Sequence, residues 1–247
     1  MNMLLFFVKY LKTNKILYII FKKEKVKYME IVMLGAPGTG KGTVGKLLSK
    51  EFNIPHISSG EIFRSYSKKH DELAKEIESY ISKGNLVPDE LTIKLIRNRL
   101  SELDCKTGFI LDGFPRTVAQ AESLYEILKE QGRAINIVVY LNLADEEIID
   151  RTIKRRTCPN PECREIYNLE FKPPKQEGIC DLCGSKLVIR EDDNAETIKQ
   201  RLKTYHETSE QLVEYYKKQA LLYTIKLNKE SNVTTMGVAE EIRSYFE

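Results

Sequence analysis

The stretch Gly35-Ala36-Pro37-Gly38-Thr39-Gly40-Lys41-Gly42-Thr43 decides the fold, because it fits the pattern of a phosphate-binding loop. The apolar run Ile31-Val32-Met33-Leu34 precedes it, and the helix-forming run Val44-Gly45-Lys46-Leu47-Leu48 follows it. A strand that ends in a glycine-rich turn and opens into a helix directs backbone N–H groups and the helix dipole at one point. Polyphosphate is the ligand that such a point binds. Lys41 can reach the terminal phosphates, and the Thr43 hydroxyl can ligate Mg²⁺.

Short apolar runs alternate with amphipathic stretches from Met29 onward. This alternation predicts an α/β fold with a doubly wound, five-stranded parallel sheet flanked by helices. The predicted strands are residues 29–34, 109–112, 135–141, a weaker 222–227 and a brief one near 56–57. The predicted helices are residues 41–52, 88–101, 117–131, 145–156 and 194 to about 219.

Two segments interrupt the alternation and read as inserts over the strand ends. The first is helical without a strand, and the second is punctuated by prolines and cysteines. The resulting division has an N-terminal extension (1–28), three core segments (29–57, 88–156 and 194–247) and two inserts (58–87 and 157–193).

Composition indicates an enzyme-sized chain with a substantial core. It has 247 residues, 42% of them hydrophobic, and 39 basic against 36 acidic residues give a net charge of +3. Because this balance produces no global field that favours DNA or anionic membranes, any anion site must be local. Five cysteines beside a phosphate loop favour a reducing compartment, so we expect a cytoplasmic protein.

The first 28 residues differ from the rest, with apolar patches separated by Lys9, Lys12 and Lys15. No apolar run reaches the ~20 residues that a bilayer span needs, so we expect no stable membrane association. A small-residue cleavage site and arginines are also missing, which argues against a targeting peptide. Two interpretations stay open: an upstream start, with Met29 as the true beginning, or an amphipathic extension that associates with surfaces.

Four cysteines in the second insert have the spacing of metal ligands. Cys158 and Cys163 form one pair, and Cys180 and Cys183 form a second pair after sixteen residues. Tetrahedral thiolate coordination of Zn²⁺ suits two such pairs, although four residues separate the first two cysteines rather than two. Disulfides or free thiols remain alternatives. Four protein ligands would leave no open position, so the zinc would be structural, and Cys105 is expected to be a packing residue.

Basic side chains recur at the edges of both inserts, namely Arg64, Arg151, Arg155, Arg190 and Arg201. Each alone would ordinarily be a solvated charge. Phosphoryl transfer, however, requires cations around the migrating group, and guanidinium groups clamp phosphate oxygens. Asp112 ends a predicted buried strand, the usual position of a carboxylate that orients Mg²⁺ through water.

Several motifs occur together, in order and at fixed spacing. They are the phosphate loop, residues 58–64 (SSGEIFR), residues 84–90 (GNLVPDE), residues 112–117 (DGFPRT), residues 171–175 (FKPPK) and residues 190–193 (REDD). From Met29 to the C-terminus the chain thereby resembles the adenylate kinases of the long-lid bacterial type. The resemblance implies reversible transfer of the γ-phosphoryl group of Mg-ATP to AMP, which gives two ADP. It also implies that the first insert binds AMP and that the second is a lid over ATP.

The resemblance assigns roles to individual residues. For ATP it implies phosphate contacts from Gly38, Thr39, Gly40, Lys41, Gly42 and Thr43, lid contacts from Arg155, Ile166 and Tyr167, and an adenine contact near Val233. For AMP it implies that Arg64 and Arg116 grip the phosphate, that Ser59 and Gln120 contact the adenine, and that the site includes Asn85, Leu86, Val87, Gly113, Phe114 and Pro115. The expected catalytic set, around the phosphoryl path, is Lys41, Asp112, Arg116, Arg151, Arg155, Arg190 and Arg201, with Arg190 and Arg201 also reaching AMP.

Other residues receive plainer expectations. Asp192 and Asp193 resemble carboxylates of the lid hinge, but acidic residues before a helix are also ordinary caps. His56, His70 and His206 are expected to be structural or solvated, because this chemistry depends on positioning and electrostatics.

Four departures from the family pattern and two alternatives remain. Residues 228–231 (NKES) replace the usual Asp-Gly pair, Ser59 and Glu61 replace Thr and Asp, the first cysteine pair is two residues longer, and residues 1–28 lie outside the family pattern. A kinase for another monophosphate, such as UMP or CMP, would share the phosphate machinery. A nucleic-acid-binding zinc module on a non-catalytic nucleotide sensor is the second alternative, although the insert lacks a basic stripe with interleaved aromatics. The expected partners are ATP, AMP and ADP without nucleic acid, and the expected state is a monomer.

Overall fold

A computed structural model describes residues 28–69, 71–227 and 235–246. The strands are β1 (Met29–Leu34), β2 (His56–Ser58), β3 (Gly108–Asp112), β4 (Ile137–Asn142), β5 (Arg155–Thr157), β6 (Ile166–Asn168) and β7 (Leu222–Lys226). The helices are α1 (Lys41–Phe52), α2 (Ser59–Tyr66), α3 (Glu72–Ile81), α4 (Asp89–Leu100), α5 (Val118–Glu130), α6 (Asp145–Ile153), α7 (Ala195–Lys218) and α8 (Thr235–Phe246). Two short 3₁₀ helices, Ser67–Lys69 and Leu103–Thr107, complete these elements.

Five strands form one sheet in the order β2-β3-β1-β4-β7, and every neighbouring pair is parallel. The predicted five-stranded parallel sheet is therefore confirmed. Because β3 and β4 flank β1 on opposite sides, the strand order reverses direction at β1. The crevice beyond the carboxyl end of a strand at such a switch point is where doubly wound sheets bind ligands.

The central strand β1 is buried on both faces, as expected for a sheet covered by helices on both sides. On one face Val32 packs with Leu111 and Val138 against α5, α4 and α7. On the other face Ile31 packs in the cluster that includes α1 and α8. The side chains of Ile31 and Val32 are fully inaccessible to solvent, so the loop that follows β1 begins at a rigid strand.

The first insert is helical after Ser58, the last residue of β2, and no strand occurs among its described residues from 59 to 87. Ser58 caps α2 by accepting a hydrogen bond from the Glu61 N–H at 3.4 Å. Asp71 caps α3 by accepting one from the Ala74 N–H at 2.7 Å. A separate apolar cluster that includes Phe63, Ile77 and Val87 holds these helices together, so the insert has a small core of its own.

The second insert is a small β-rich unit in which β5 and β6 pair antiparallel. The predicted helix over residues 145–156 was wrong at its end, because α6 stops at Ile153 and Arg155 begins β5. Backbone pairing of Arg155–Thr157 with β6, and of Thr157 with Val188, satisfies groups that another helical turn would have used. Tertiary pairing here overrides local helix propensity.

Among the described residues, no helix is both long and apolar enough to cross a bilayer. The predicted adenine contact near Val233, the departure at residues 228–231 and His70 lie outside the described residues. The same holds for residues 1–27 of the N-terminal extension.

Candidate active site

The loop between β1 and α1 is wound tightly through glycines in the left-handed region of backbone space. Gly35, Gly38 and Gly40 have φ of 138°, 88° and 97°. A Cβ on Gly38 would lie 2.4 Å from Thr152 Oγ1, and one on Gly35 would lie 2.5 Å from the Leu141 carbonyl oxygen. Both glycines are therefore required by backbone conformation and by close approach.

Replacing Gly35 with Ala should lower the free energy of unfolding by about 2–4 kcal/mol, since it adds a backbone clash to an unfavourable φ. Urea denaturation would measure the loss. Gly132→Ala is the matched control, because Gly132 has φ of 67° but open space around its missing Cβ. Equal losses in the two variants would show that the loop is not constrained by β4.

Lys41 opens α1, and its side chain folds back over the loop. Its Nζ donates to the carbonyl oxygens of Gly35 at 2.7 Å and Ala36 at 2.8 Å. Burial and the positive charge of Arg116 lower the pKa of Lys41 to about 8, despite the opposing attraction of Asp112. An anion bound in the loop would stabilise this buried ammonium group, because it would offset the cost of burial and the nearby positive charge.

Asp112 ends β3 beside the loop, with His56 next to it. His56 Nε2 lies 3.5 Å from Asp112 Oδ2, and only 7% of the His56 side chain is exposed. Burial alone would raise the pKa of Asp112, but the neighbouring His56 and the charge of Lys41 hold it below its usual range. His56 is thus packed inside the site rather than on a strand surface.

A cavity of about 740 Å³ extends from this loop across both inserts. Its cationic lining among the described residues is Lys41, Lys46, Arg64, Arg116, Arg151, Arg155, Lys172, Arg190 and Arg201. Its carboxylates there are Glu61, Asp112 and Asp192. Nine cations against three carboxylates make the cavity a focus of positive potential.

The crowding of these cations perturbs their titration. Burial and the charge of Arg201 lower the pKa of Arg116 to about 10, in spite of Asp112. Burial and the charge of Arg155 lower the pKa of Arg190 to about 10. A bound polyanion would offset both the cost of burying these charges and their mutual repulsion. The cluster is therefore suited to binding a polyanion.

Carboxylates orient part of this arginine cluster. Both Arg155 Nε, at 2.8 Å, and Arg155 Nη2 donate to Asp193. Arg201 pairs with Asp192, which also lies 3.9 Å from Arg64 Nη1. Arg64 belongs to the first insert, whereas Asp192 closes the second, so this carboxylate links the two.

A second contact joins the inserts at the first cysteine pair. Arg164, which has φ of 48°, places its Nη1 3.3 Å from Glu61 Oε2 of the first insert. Lys46 Nζ on α1 donates to the Arg164 carbonyl oxygen at 2.6 Å. The second insert therefore touches both the core helix and the first insert.

Another part of the cavity wall is built around Gly113, Arg116 and Gln120. The Gly113 carbonyl oxygen accepts from Ser59 Oγ at 2.7 Å and from Arg116 Nε at 2.8 Å. Gln120 is 2% exposed yet lines the cavity. Its Oε1 accepts from the Arg116 N–H at 2.8 Å, and its Nε2 donates to Asp89 Oδ1 at 2.7 Å.

The four cysteines of the second insert converge as their spacing predicted. The Sγ atoms of Cys158, Cys163, Cys180 and Cys183 all lie within 4.8 Å of one another. The close pairs, at 3.3 and 3.6 Å, are too long for disulfide bonds, and all five cysteines, each in the described part of the chain, are free. Four thiolates bound to Zn²⁺ at ~2.3 Å would lie roughly 3.8 Å apart, so the cluster fits a tetrahedral ion.

Most of the residues singled out from the sequence meet in the cavity. Its lining includes Gly38, Gly40, Lys41, Gly42, Thr43, Arg64, Asn85, Leu86, Val87, Asp112, Gly113, Pro115, Arg116, Gln120, Arg151, Arg155, Ile166, Tyr167, Arg190 and Arg201. Of the described residues expected at the site, Thr39, Ser59 and Phe114 are buried behind the lining. Arg151 reaches the cavity with its guanidinium 5.0 Å from the ring centre of Phe171.

Sequence reasoning missed three contributions to this site. The first, His56, could have been inferred, because β2 lies beside β3 and places it near Asp112. The second, Asp89, lies in the motif at residues 84–90 and begins a helix, but neither signal assigned it a role at the site. The third, the contact of Arg164 with Glu61, depends on loop conformation and had no sequence signal.

Comparison with known proteins agrees with this geometry. A family model described as adenylate kinase matches residues 33–221. The adenylate kinase of Caldicellulosiruptor saccharolyticus is 47% identical over 214 residues, which cover 87% of this chain and 99% of that protein. That of Acetivibrio thermocellus is 48% identical over 210 residues, covering 85% and 96%, and that of Streptomyces avermitilis is 43% identical over 214 residues, covering 87% and 93%. The chain therefore belongs to the adenylate kinase family.

Proposed function

We propose that this protein is a phosphotransferase that moves the γ-phosphoryl group of Mg-ATP reversibly to AMP and yields two ADP. The observation that carries the proposal is the cavity in which Lys41 and six arginines from the core and both inserts surround one space. Family membership supports the choice of substrates, since the similar proteins are named adenylate kinases.

Each substrate has its own part of the cavity in this proposal. Residues 38–43 hold the ATP phosphates with their backbone N–H groups, and the second insert, residues 157–193, covers ATP. The first insert, residues 58–87, binds AMP, whose phosphate is gripped by Arg64 and Arg116. Gln120 reads the adenine, because it is the buried amide that lines that part of the cavity.

In the transfer step, a phosphate oxygen of AMP attacks the γ-phosphorus of ATP. The bond from that phosphorus to the β,γ-bridging oxygen breaks, and ADP leaves with this oxygen. Lys41, Arg151, Arg155, Arg190 and Arg201 stabilise the charge on the migrating group and its flanking oxygens. The contacts between the inserts exclude water, which would otherwise compete with AMP as the acceptor.

Two metal ions fit the residues present. Asp112 and the Thr43 hydroxyl line the cavity at the loop and would hold Mg²⁺, directly or through water. When bound, Mg²⁺ neutralises charge on the ATP phosphates. The four cysteines would hold Zn²⁺, and Ser185, through its side chain and backbone, lowers the pKa of Cys183 to about 6, which favours the thiolate that zinc requires.

Compartment and assembly complete the proposal. We place the protein in the cytoplasm, because a reducing compartment keeps five cysteines free. We also propose a monomer, because one chain supplies every residue assigned to the site.

A coupled assay of ADP formation with ATP and each of AMP, UMP, CMP and GMP tests this function. We expect the kcat/KM for AMP to exceed those for UMP and GMP by at least about tenfold. Their bases present a ring N–H beside a carbonyl oxygen where adenine presents a ring nitrogen beside an amino group, and one reversed hydrogen-bonding group at a buried amide costs roughly 1–3 kcal/mol. A preference for UMP or CMP would reassign the base site. Failure to form ADP with any of the four would favour a nucleotide sensor.

A further inference from the structure

Asp89 joins the end of the first insert to the helix that carries Gln120. It is the first residue of α4, and only Pro88 separates it from the cavity-lining residues 84–87. Its Oδ2 accepts from Thr117 Oγ1 at 2.8 Å, and its Oδ1 accepts from Gln120 Nε2 at 2.7 Å. Asp89 itself does not line the cavity, so it can influence a ligand only through these two partners.

The partners of Gln120 leave its amide a single orientation. A carboxylate only accepts hydrogen bonds, and a backbone N–H only donates. Asp89 must therefore face the Nε2 of Gln120, while the Arg116 N–H faces its Oε1. Turning the amide over would set oxygen against carboxylate and N–H against N–H, leaving buried groups unsatisfied.

A fixed amide selects between two classes of base. After these bonds Gln120 still has one N–H to donate and one lone pair to accept. That remainder matches an edge with a ring nitrogen acceptor beside an amino donor, as in 6-aminopurines. A 6-oxopurine presents a ring N–H beside a carbonyl oxygen, which requires the reversed amide.

We propose that Asp89 is a positioning residue that makes this site select 6-aminopurine over 6-oxopurine monophosphates by fixing the amide of Gln120. The proposal rests on the assignment of Gln120 to the base of AMP. Asp89 thus sets specificity without contact with the substrate.

The test compares AMP with IMP, which differs from AMP only in the 6-substituent and its ring proton. In Asp89→Ala, the KM for AMP should rise about tenfold, with kcat changed less than twofold. The ratio of kcat/KM for AMP to that for IMP should also fall about tenfold, a factor that corresponds to ~1.4 kcal/mol. Asp89→Asn, which preserves shape and one acceptor, should show a smaller fall in the same direction.

Controls separate positioning from structural damage. Glu90→Ala removes a charge from the same first turn of α4 and should leave the ratio unchanged. In a Gln120→Ala background, adding Asp89→Ala should change the ratio less than twofold. Equal loss of activity toward AMP and IMP in Asp89→Ala, or an undiminished effect in the Gln120→Ala background, would overturn the proposal.

The outcomes also distinguish a failure of this proposal from a failure of the proposed function on which it rests. A wild-type protein that does not prefer AMP over IMP would refute the proposed function. A wild type with that preference, in which Gln120→Ala removes it while Asp89→Ala keeps it, would refute the role of Asp89 alone.

Discussion

Lys41→Met is expected to reduce kcat by about a hundredfold to a thousandfold while the protein stays folded. The Nζ of Lys41 sits in the mouth of the phosphate loop, where it would neutralise charge on the migrating group. Loss of one preorganised charge in such a site costs about 3–4 kcal/mol of transition-state stabilisation. Steady-state assays of ADP formation, with circular dichroism as the check on folding, would measure the change.

The same variant should also be no less stable than the wild type at pH 7. The pKa of Lys41 in the folded protein is about 8, below the ordinary value near 10.5 in an unfolded chain. Folding therefore costs free energy below pH 8, and stability rises as the pH passes from 8 to 10.5. Methionine removes this cost, so the stability of the variant should lose that rise.

Lys50→Met is the matched control, because Lys50 lies in the last turn of the same helix and is exposed. It should keep full activity. Near-normal turnover in Lys41→Met would mean that the loop does not hold the reacting phosphates.

Cys180→Ser is expected to lower the melting temperature by at least about 5 °C and to reduce bound zinc below one equivalent. Zinc tied to four thiolates contributes folding free energy directly, and a lost ligand weakens the site. Turnover at low temperature should fall less, since the four sulfur atoms lie outside the cavity lining. Calorimetry and metal analysis of the purified protein would measure both quantities.

Cys105→Ser provides the control for loss of a buried thiol, because Cys105 is equally inaccessible but remote in sequence from the cluster. It should retain all of the metal. An unchanged melting curve in Cys180→Ser would contradict a structural role for the cluster.

The sheet was predictable because its signals are local. The run before Gly35 is apolar on both faces, as a central parallel strand must be, and the loop that follows can adopt few other shapes. The convergence of the cysteines was also predictable from a local signal, because the spacing typical of metal ligands can be read directly from the sequence. The proposed roles of the arginines came from resemblance, because spacing alone does not separate a clamp from a solvated charge.

The errors and omissions occur where distant segments decide the conformation. Arg155 continues an amphipathic helical pattern but lies on β5, because its backbone pairs with β6, which begins eleven residues later. Asp89 begins a helix, and only the approach of α5 gives it Gln120 as a partner. The proximity of Arg164 to Glu61 likewise requires two inserts to meet.

The ion pair between Arg155 and Asp193 has a mechanical consequence. Arg155 lies where the chain enters the second insert and Asp193 lies where it returns to the core, so their contact fastens the two stems together. The Asp193 side chain is fully buried, which protects the fastening from water. Any movement of this insert relative to the core would therefore have to occur outside the fastened pair, at Lys154 on one stem and Asn194 on the other.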